Sequence, residues 1–408
     1  MTAAGSDVPY TAVLGLRRQP TPDWIAQVRA RFPVEPAIDE VFTRKLHKRV
    51  ETPEHSMDSS GLPEQLRAFL VAETDQPHLR VQNVQRLSGG ASKEQFSFDL
   101  TWCPDGIGTM VTEPMMLRMD PSEAIVETHR RREWEVLRAM YGVVPVPRAR
   151  WLDADGTALG RPALVADFLE GTVRPPGGDQ MSGVGMYFQP HLREALADQF
   201  VEILARIHAV DWSRCELPSF AVPEPGTTQA VDWALGLWDR AWYEDTLDAH
   251  PVMARAALWL HENRPVVERP VVVHGDYRSG NFMYDDRLRI NAIFDWELAY
   301  LGDHHDDLAW ASLALFAGPD EQGNQLASSL MTTEDFLHRY ERASGNPVDR
   351  DRLFYYQLFS YYKISVITVA TSMRVAYARR THLDAMMNFA SGIGYVGISE
   401  LNRMLEQT

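Results

Sequence analysis

A chain of 408 residues that is 45% hydrophobic and 24% charged can bury one large core or two moderate ones, unlike a disordered polymer. No apolar run reaches the roughly 18 residues needed to cross a bilayer, the longest lying near Ile364 to Met373, and the start lacks a basic-then-apolar leader. The expectation is a cytoplasmic protein with no membrane partner. A net charge of -16 argues against a nucleic-acid partner and serves solubility more than it selects a cationic substrate, while Cys103 and Cys215 form no CxxC pair and are expected to be reduced thiols.

In chain order, residues 1–79 read as a helical N-terminal extension, with starts at Thr21-Pro22 and Leu62-Pro63-Glu64, the second feeding Leu66, Phe69 and Leu70 at helical spacing. Alternation then predicts strands at Val81 to Leu87, Phe96 to Leu100 and Met115 to Met119. A helix is expected between Glu123 and Met140, where Trp134, Leu137 and Met140 recur in three-residue steps, and Pro145 and Pro147 stop it. Strands at Ala149 to Leu152 and Pro162 to Phe168 complete a unit over 80–168, and the boundary falls near Leu169, before a Pro/Gly-rich loop from Arg174 to Gly185. Residues 169–408 read as mainly helical, including Leu192 to Val210 and Thr228 to Tyr243, with short strands at Val271 to Val273 and Ile290 to Phe294. The aromatics between Phe354 and Tyr362 are expected in the core.

The chemistry concentrates in His274-Gly275-Asp276-Tyr277-Arg278-Ser279-Gly280-Asn281. Phosphoryl transfer needs a carboxylate to orient the acceptor hydroxyl, oxygen ligands for magnesium and donors on the phosphates. Asp276 follows an apolar strand, Asn281 stands five positions later at the spacing of the protein-kinase catalytic loop, and Asp295 follows the next strand. Asp276 is the expected base, and Asn281 and Asp295 the expected magnesium ligands. His274 reads as a structural residue of the loop.

From His274 through Gly302-Asp303 and Asp307-Leu308-Ala309, the chain resembles the aminoglycoside phosphotransferase and choline kinase superfamily. Together with Leu87 to Glu94, Leu117-Arg118, Arg132-Glu133 and Val144 to Pro147, it resembles the branch found beside acyl-CoA dehydrogenase domains, over about residues 80 to 400. The resemblance implies an α+β, protein-kinase-like fold of two lobes: a small antiparallel-sheet N-lobe with one helix and a larger, mainly helical C-lobe. It implies ATP or GTP with Mg2+, and a small-molecule acceptor, aminoglycoside-like or another metabolic alcohol such as a hydroxyacyl compound. A nucleotide-binding sensor without transfer activity is the competing class. By the same resemblance, the turn with Ser88, Gly89, Gly90, Ser92 and Lys93 would lie over the phosphates, with Lys93 an auxiliary cation. Arg118 and Glu133 would form the phosphate-binding ion pair, with Arg where most kinases have Lys. Main-chain groups near Asp167 and Leu169 would meet a purine edge, Asp303 and Asp307 would brace the C-lobe, and His304 and His305 would be loop residues.

Overall fold

Alternating side chains on five strands dictate a sheet with two covered faces. The computed structural model describes residues 10–50, 61–87, 93–106, 108–175, 186–378 and 384–408. In it β1 (Arg80–Arg86), β2 (Glu94–Trp102), β3 (Val111–Met119), β4 (Ala149–Asp153) and β5 (Ala163–Asp167) form one antiparallel sheet in the order β1-β2-β3-β5-β4. Phe96, Phe98, Leu100 and Trp102 point from β2 to one face, where they share a core with Met115, Leu117 and Met119 of β3. On β5 the alternation splits cleanly: Ala163 and Val165 enter that core, Leu164 and Ala166 the other.

Four helices precede the sheet: α1 (Tyr10–Arg18), α2 (Pro22–Arg31), α3 (Pro36–Lys48) and α4 (Leu62–Thr74). Though contiguous in sequence, they divide between the lobes. Helix α4 buries Leu62, Leu66, Phe69 and Leu70 in the outer core of the sheet, so it belongs physically to the N-lobe. Helices α1–α3 lie instead on the C-lobe: Trp24, Ile25, Val28 and Leu46 pack with Tyr243, and Ile38, Val41 and Phe42 join the main core.

Helix α5 (Arg130–Met140) covers the inner face of the sheet with Val136, Leu137 and Met140. It begins later than the expected Glu123, because residues 123–129 are drawn across to the C-lobe: Ile125 packs on Val375, and Arg374 Nη2 donates to the Ala124 carbonyl at 2.6 Å. Beyond β5 come α6 (Pro190–His208), α7 (Gln229–Asp245), α8 (Pro251–Glu262), α9 (His305–Ala311), α10 (Thr333–Ser344), α11 (Arg350–Ser365), α12 (Ser372–Ala378) and α13 (Asp384–Leu405), with a π-helical stretch at Val366–Thr371. Tyr355, Tyr356, Phe359 and Tyr362 are buried there in the core, as expected. Four short strands position the site: β6 (Val271–Val273) pairs with β9 (Tyr300–Gly302), and β7 (Phe282–Tyr284), not expected from the pattern, pairs with β8 (Ile290–Ile293). A small hairpin, β10 (Leu326–Ala327) and β11 (Met331–Thr332), precedes α10. Among the described residues no helix is long and apolar enough to cross a membrane.

Leu66 is fully buried between α4 and the sheet, so Leu66→Ala should cost about 2–5 kcal/mol in urea unfolding. A loss well under about 1 kcal/mol, the range of surface substitutions, would mean that α4 is a detachable part of the extension.

Candidate functional site

Strand β6 is wholly buried and delivers His274 to a loop whose backbone is held from three sides. Gly275 has φ 80°, and a side chain on it would start 2.6 Å from the Leu298 carbonyl, so both conformation and space demand glycine. The buried His274 ring donates through Nε2 to the Phe294 carbonyl at 2.9 Å and accepts the Asp276 N–H on Nδ1 at 3.2 Å, which is the pattern of a neutral imidazole. Burial pushes its pKa down, against the pull of Asp307 and Asp276. Beneath the loop, Asp307 accepts the His274 N–H at 2.7 Å and the Gly275 N–H at 2.8 Å. His208 Nε2 lies 3.1 Å from the same carboxylate, and its Nδ1 is 2.7 Å from the Tyr340 hydroxyl. Burial alone would raise the Asp307 pKa, but the His208 hydrogen bond and charge hold it below the usual range.

Asp276 sits at the surface end of this brace and gathers donors. Trp310 Nε1 donates to Oδ1 at 2.7 Å, Arg278 Nε to Oδ1 at 2.7 Å, and Asn281 Nδ2 to Oδ2 at 2.6 Å. Asn281 Nδ2 also donates to the Asp276 carbonyl at 2.8 Å, so its Oδ1 has no hydrogen-bond donor among the described residues. Its own carbonyl accepts the Phe294 N–H at 2.8 Å, which ties Asn281 to the segment that leads from β8 to Asp295. Two buried members of this group escaped the sequence reading. Trp310 stands three residues after Asp307, less than one helical turn further along α9, a spacing that could have flagged it. Lys363, from α11, donates to the Gly275 carbonyl and lies 4.0 Å from the Trp310 ring centroid, and its separation of 88 residues left no local signal. Burial lowers the Lys363 pKa, while Asp306, Asp276 and Asp307 oppose that shift.

Asp295 adopts the left-handed conformation, φ 60° and ψ 51°, at the end of the turn from β8. Arg118 of β3 reaches it through Nη2 at 2.7 Å, and the same nitrogen is 3.4 Å from Glu133 Oε1 on α5. Burial would raise the Asp295 pKa, but the Arg118 charge and hydrogen bond hold it below the ordinary value. The Arg118 Nε atom is buried with no hydrogen-bond partner among the described residues. Lys93 lies inside the lobe: its ammonium donates to Thr128 Oγ1 at 2.7 Å and is 3.3 Å from both Asp120 and Glu297. That placement makes it a brace next to the Arg118 cluster, not a cation exposed on the turn. Ser88, Gly89, Gly90 and Ser92 lie outside the described residues.

At the junction of the lobes, Asp167 gives its side chain to Arg150 at 2.6 Å and its N–H to the Arg148 carbonyl at 3.1 Å. Leu169 takes part in no backbone hydrogen bond among the described residues. Asp303, His304 and His305 lie close enough to one another to share an ion. Their atoms are spent elsewhere: His305 bridges Asp303 Oδ1 at 2.7 Å and the Asp349 N–H at 2.9 Å, and Arg352 holds Asp303 Oδ2 at 3.1 Å.

A model of the phosphotransferase enzyme family matches residues 83–353. Acyl-CoA dehydrogenase family member 10 of Mus musculus is 26% identical over 267 residues, which is 62% of this chain and 24% of that protein, so the chain spans about a quarter of this relative's length. Among solved structures, the fold is similar to that of a candidate aminoglycoside phosphotransferase from Ralstonia eutropha, with TM-score 0.60 and 22% identity over 84% of this chain and 98% of that one. It is also similar to a thermostable mutant of aminoglycoside phosphotransferase APH(4)-Ia in ternary complex with ADP and hygromycin B, with TM-score 0.53 and 16% identity over 85% of this chain and 98% of that one.

One buried acid behind the site gives the fold a pH dependence of its own. Asp306 accepts the Tyr300 hydroxyl on Oδ2 at 2.7 Å, Oδ1 has no partner among the described residues, and burial raises its pKa from 3.8 to about 6. Between those values the folded chain holds a proton that the unfolded chain has lost, so this contribution is full below pH 3.8 and disappears as pH rises through about 6. Relative to Asp306→Asn, the wild type should lose about 3 kcal/mol between roughly pH 4 and 7 in urea titrations, and parallel stability curves would show that Asp306 ionises normally.

Proposed function

Because the chain belongs to the phosphotransferase enzyme family, we propose that it transfers the terminal phosphoryl group of ATP or GTP, with Mg2+, to a hydroxyl of a small-molecule acceptor. The observation that carries this reading is the direct junction of Asp276 and Asn281, side chain to side chain, on a loop bonded to the segment that leads from β8 to Asp295. Asp276 accepts the proton of the acceptor hydroxyl and aims its oxygen at the phosphorus. Trp310 and Arg278 Nε donate to Oδ1 and Asn281 to Oδ2, while Arg278 Nη2 reaches Oδ2 only at 3.4 Å, the weakest of the four bonds and the one that the acceptor hydroxyl displaces.

The metal fits the donor set. Asn281 Oδ1 and Asp295 Oδ2 receive no hydrogen bond among the described residues, and both are the hard oxygens that magnesium takes. Bound there, Mg2+ supplies charge neutralisation across the phosphate oxygens. Arg118 offers its unpartnered Nε to the phosphates while Glu133 and Asp295 fix the guanidinium plane. Ser88, Gly89, Gly90 and Ser92 are assigned to the same phosphates by the family resemblance alone, and Lys93, just before β2, pairs with Asp120 at 3.3 Å. The main chain of Leu169, together with the carbonyl of Asp167, meets the purine edge. The acceptor class takes its two candidates from the relatives: an aminoglycoside-like alcohol, as in the hygromycin B complex, or an acyl-linked metabolic alcohol, as the dehydrogenase name suggests.

Turnover of MgATP, with water or any acceptor found by screening both classes, should fall by about 10²–10⁴-fold in Asp276→Asn while nucleotide affinity is kept. Full turnover in that variant would remove Asp276 from the mechanism. Asp295→Asn should abolish the extra thermal stabilisation that Mg2+ adds to nucleotide binding. Stabilisation by MgATP in a wild type that turns over neither water nor any acceptor would favour the sensor reading. Trp310→Phe keeps an aromatic ring at this buried position and removes the N–H on Asp276; about a tenfold fall in kcat with an unchanged nucleotide KM is expected, and an unchanged kcat would make Trp310 a packing residue alone.

A further inference from the structure

Glu35 breaks a local rule. It stands at the N-cap of α3, where Ser, Thr, Asp or Asn would cap the helix, and its side chain makes no capping bond. Its carboxylate instead grips Arg132 of α5, Oε2 to Nη1 at 2.5 Å and Oε1 to Nη2 at 3.0 Å, and accepts the Ala221 N–H at 3.0 Å. Both side chains are buried, 4% exposed for Arg132 and 7% for Glu35. The same guanidinium donates to the Ala299 carbonyl at 3.0 Å, just beyond the Asp295 turn, and to the Ser219 carbonyl at 3.4 Å, and it lies 4.2 Å from the Phe220 ring centroid. One side chain thus joins the N-terminal extension, helix α5, a C-lobe loop and the segment after Asp295.

A second anchor flanks the first. The chain entering α5 is held at Glu123 and the Ala124 carbonyl by Arg374, which also binds Asp245 Oδ2 at 2.9 Å. Asp245 in turn takes Arg49 at 2.5 Å and Lys45 at 3.3 Å, and Lys45 reaches Glu244 at 2.6 Å, so α3 and the residue after it support that anchor too. Buried ion pairs of this kind add little net stability, but they fix one register, because either partner alone would be left as an uncompensated buried charge. The next residue on α5 after Arg132 is Glu133, which holds Arg118.

We propose that α3 of the N-terminal extension is a clamp that positions α5, through Glu35 and Arg132, so that Glu133 sets Arg118 on the nucleotide phosphates. The proposal rests on the phosphoryl-transfer reading above. It makes Glu35 and Arg132 positioning residues and extends the working transferase well upstream of residue 83, where the family match begins.

The full chain tests it with Glu35→Gln and a control, Leu46→Ala, which opens a cavity in the packing of the same extension and removes no side chain of either anchor. At a temperature where both are folded, Glu35→Gln should speed amide exchange across α5 by about tenfold or more and lower kcat/KM for MgATP by about tenfold or more. Leu46→Ala should lose a similar amount of Tm with α5 exchange and kcat/KM within about twofold of wild type. Should Glu35→Gln not fold, Arg132→Lys keeps a cation beside Glu35, loses the two-pronged fork and carries the same comparison. Equal α5 exchange in the anchor variants and Leu46→Ala, or a turnover loss that follows Tm in all of them, overturns the clamp. If wild type and Asp276→Asn turn over MgATP alike, the phosphoryl-transfer reading fails separately, and α5 exchange alone decides the clamp.

Discussion

Everything in the candidate site hangs on the carboxylate of Asp307. It is fully buried and takes the N–H groups of His274 and Gly275, so the loop cannot drift without stranding a charge and two backbone donors in a dry interior. His208 and Tyr340 extend the brace toward α6 and α10, and Lys363 closes it from α11 by taking the Gly275 carbonyl. With both the N–H and the carbonyl of Gly275 bonded to buried side chains, the direction in which Asp276 leaves the loop is set by packing, before any substrate arrives. That is the preorganisation a positioning catalyst needs, because orientation contributes to the rate only if binding does not have to supply it.

Arginine at position 118 changes the other half of the site. A lysine there would offer one compact charge, whereas the guanidinium spans Glu133 and Asp295 through a single Nη2 and keeps Nε for another partner. The sheet, α5 and the Asp295 turn are therefore coupled through one planar group. Arg118 connects Asp295 to α5 through Glu133, and Arg132 connects the segment beyond Asp295 to α5 through the Ala299 carbonyl. The two routes run through adjacent residues of one helix, Arg132 and Glu133, which makes α5 one of the links between the lobes.

Much of this was legible in the sequence where the determinants are local. Strand alternation fixed the sheet on β2 and β3, and the short spacing from His274 to Asn281 fixed the loop, because backbone geometry over a few residues decides both. The partition of the extension was not legible. Leu66, Phe69 and Leu70 announce that α4 has an apolar face, but amphipathicity does not say which surface covers it, and the same holds for Ile38 and Phe42 on α3. The late start of α5 was hidden for a related reason: residues 123–129 carry an acceptable helical pattern, and only the distant Arg374 and Val375 draw them out of it. Trp310 and Lys363 are hidden by distance along the chain, one just past Asp307-Leu308-Ala309 and 34 residues from Asp276, the other 88 residues from its partner.

The charge of the chain also takes on a different meaning. Asp303, Asp306, Asp307 and Glu133 are all buried around the loop and the lobe junction, each tied to named partners, so part of the surplus of 56 acids over 40 Lys and Arg residues is architecture and not a field displayed to solvent. An acidic total of that size is therefore a poor guide to a cationic acceptor. The acids nearest the proposed chemistry, Asp276 and Asp295, are each paired with arginine, Arg278 on one and Arg118 on the other. These two arginines belong to different lobes, so the electrostatic balance of the site depends on how the lobes meet.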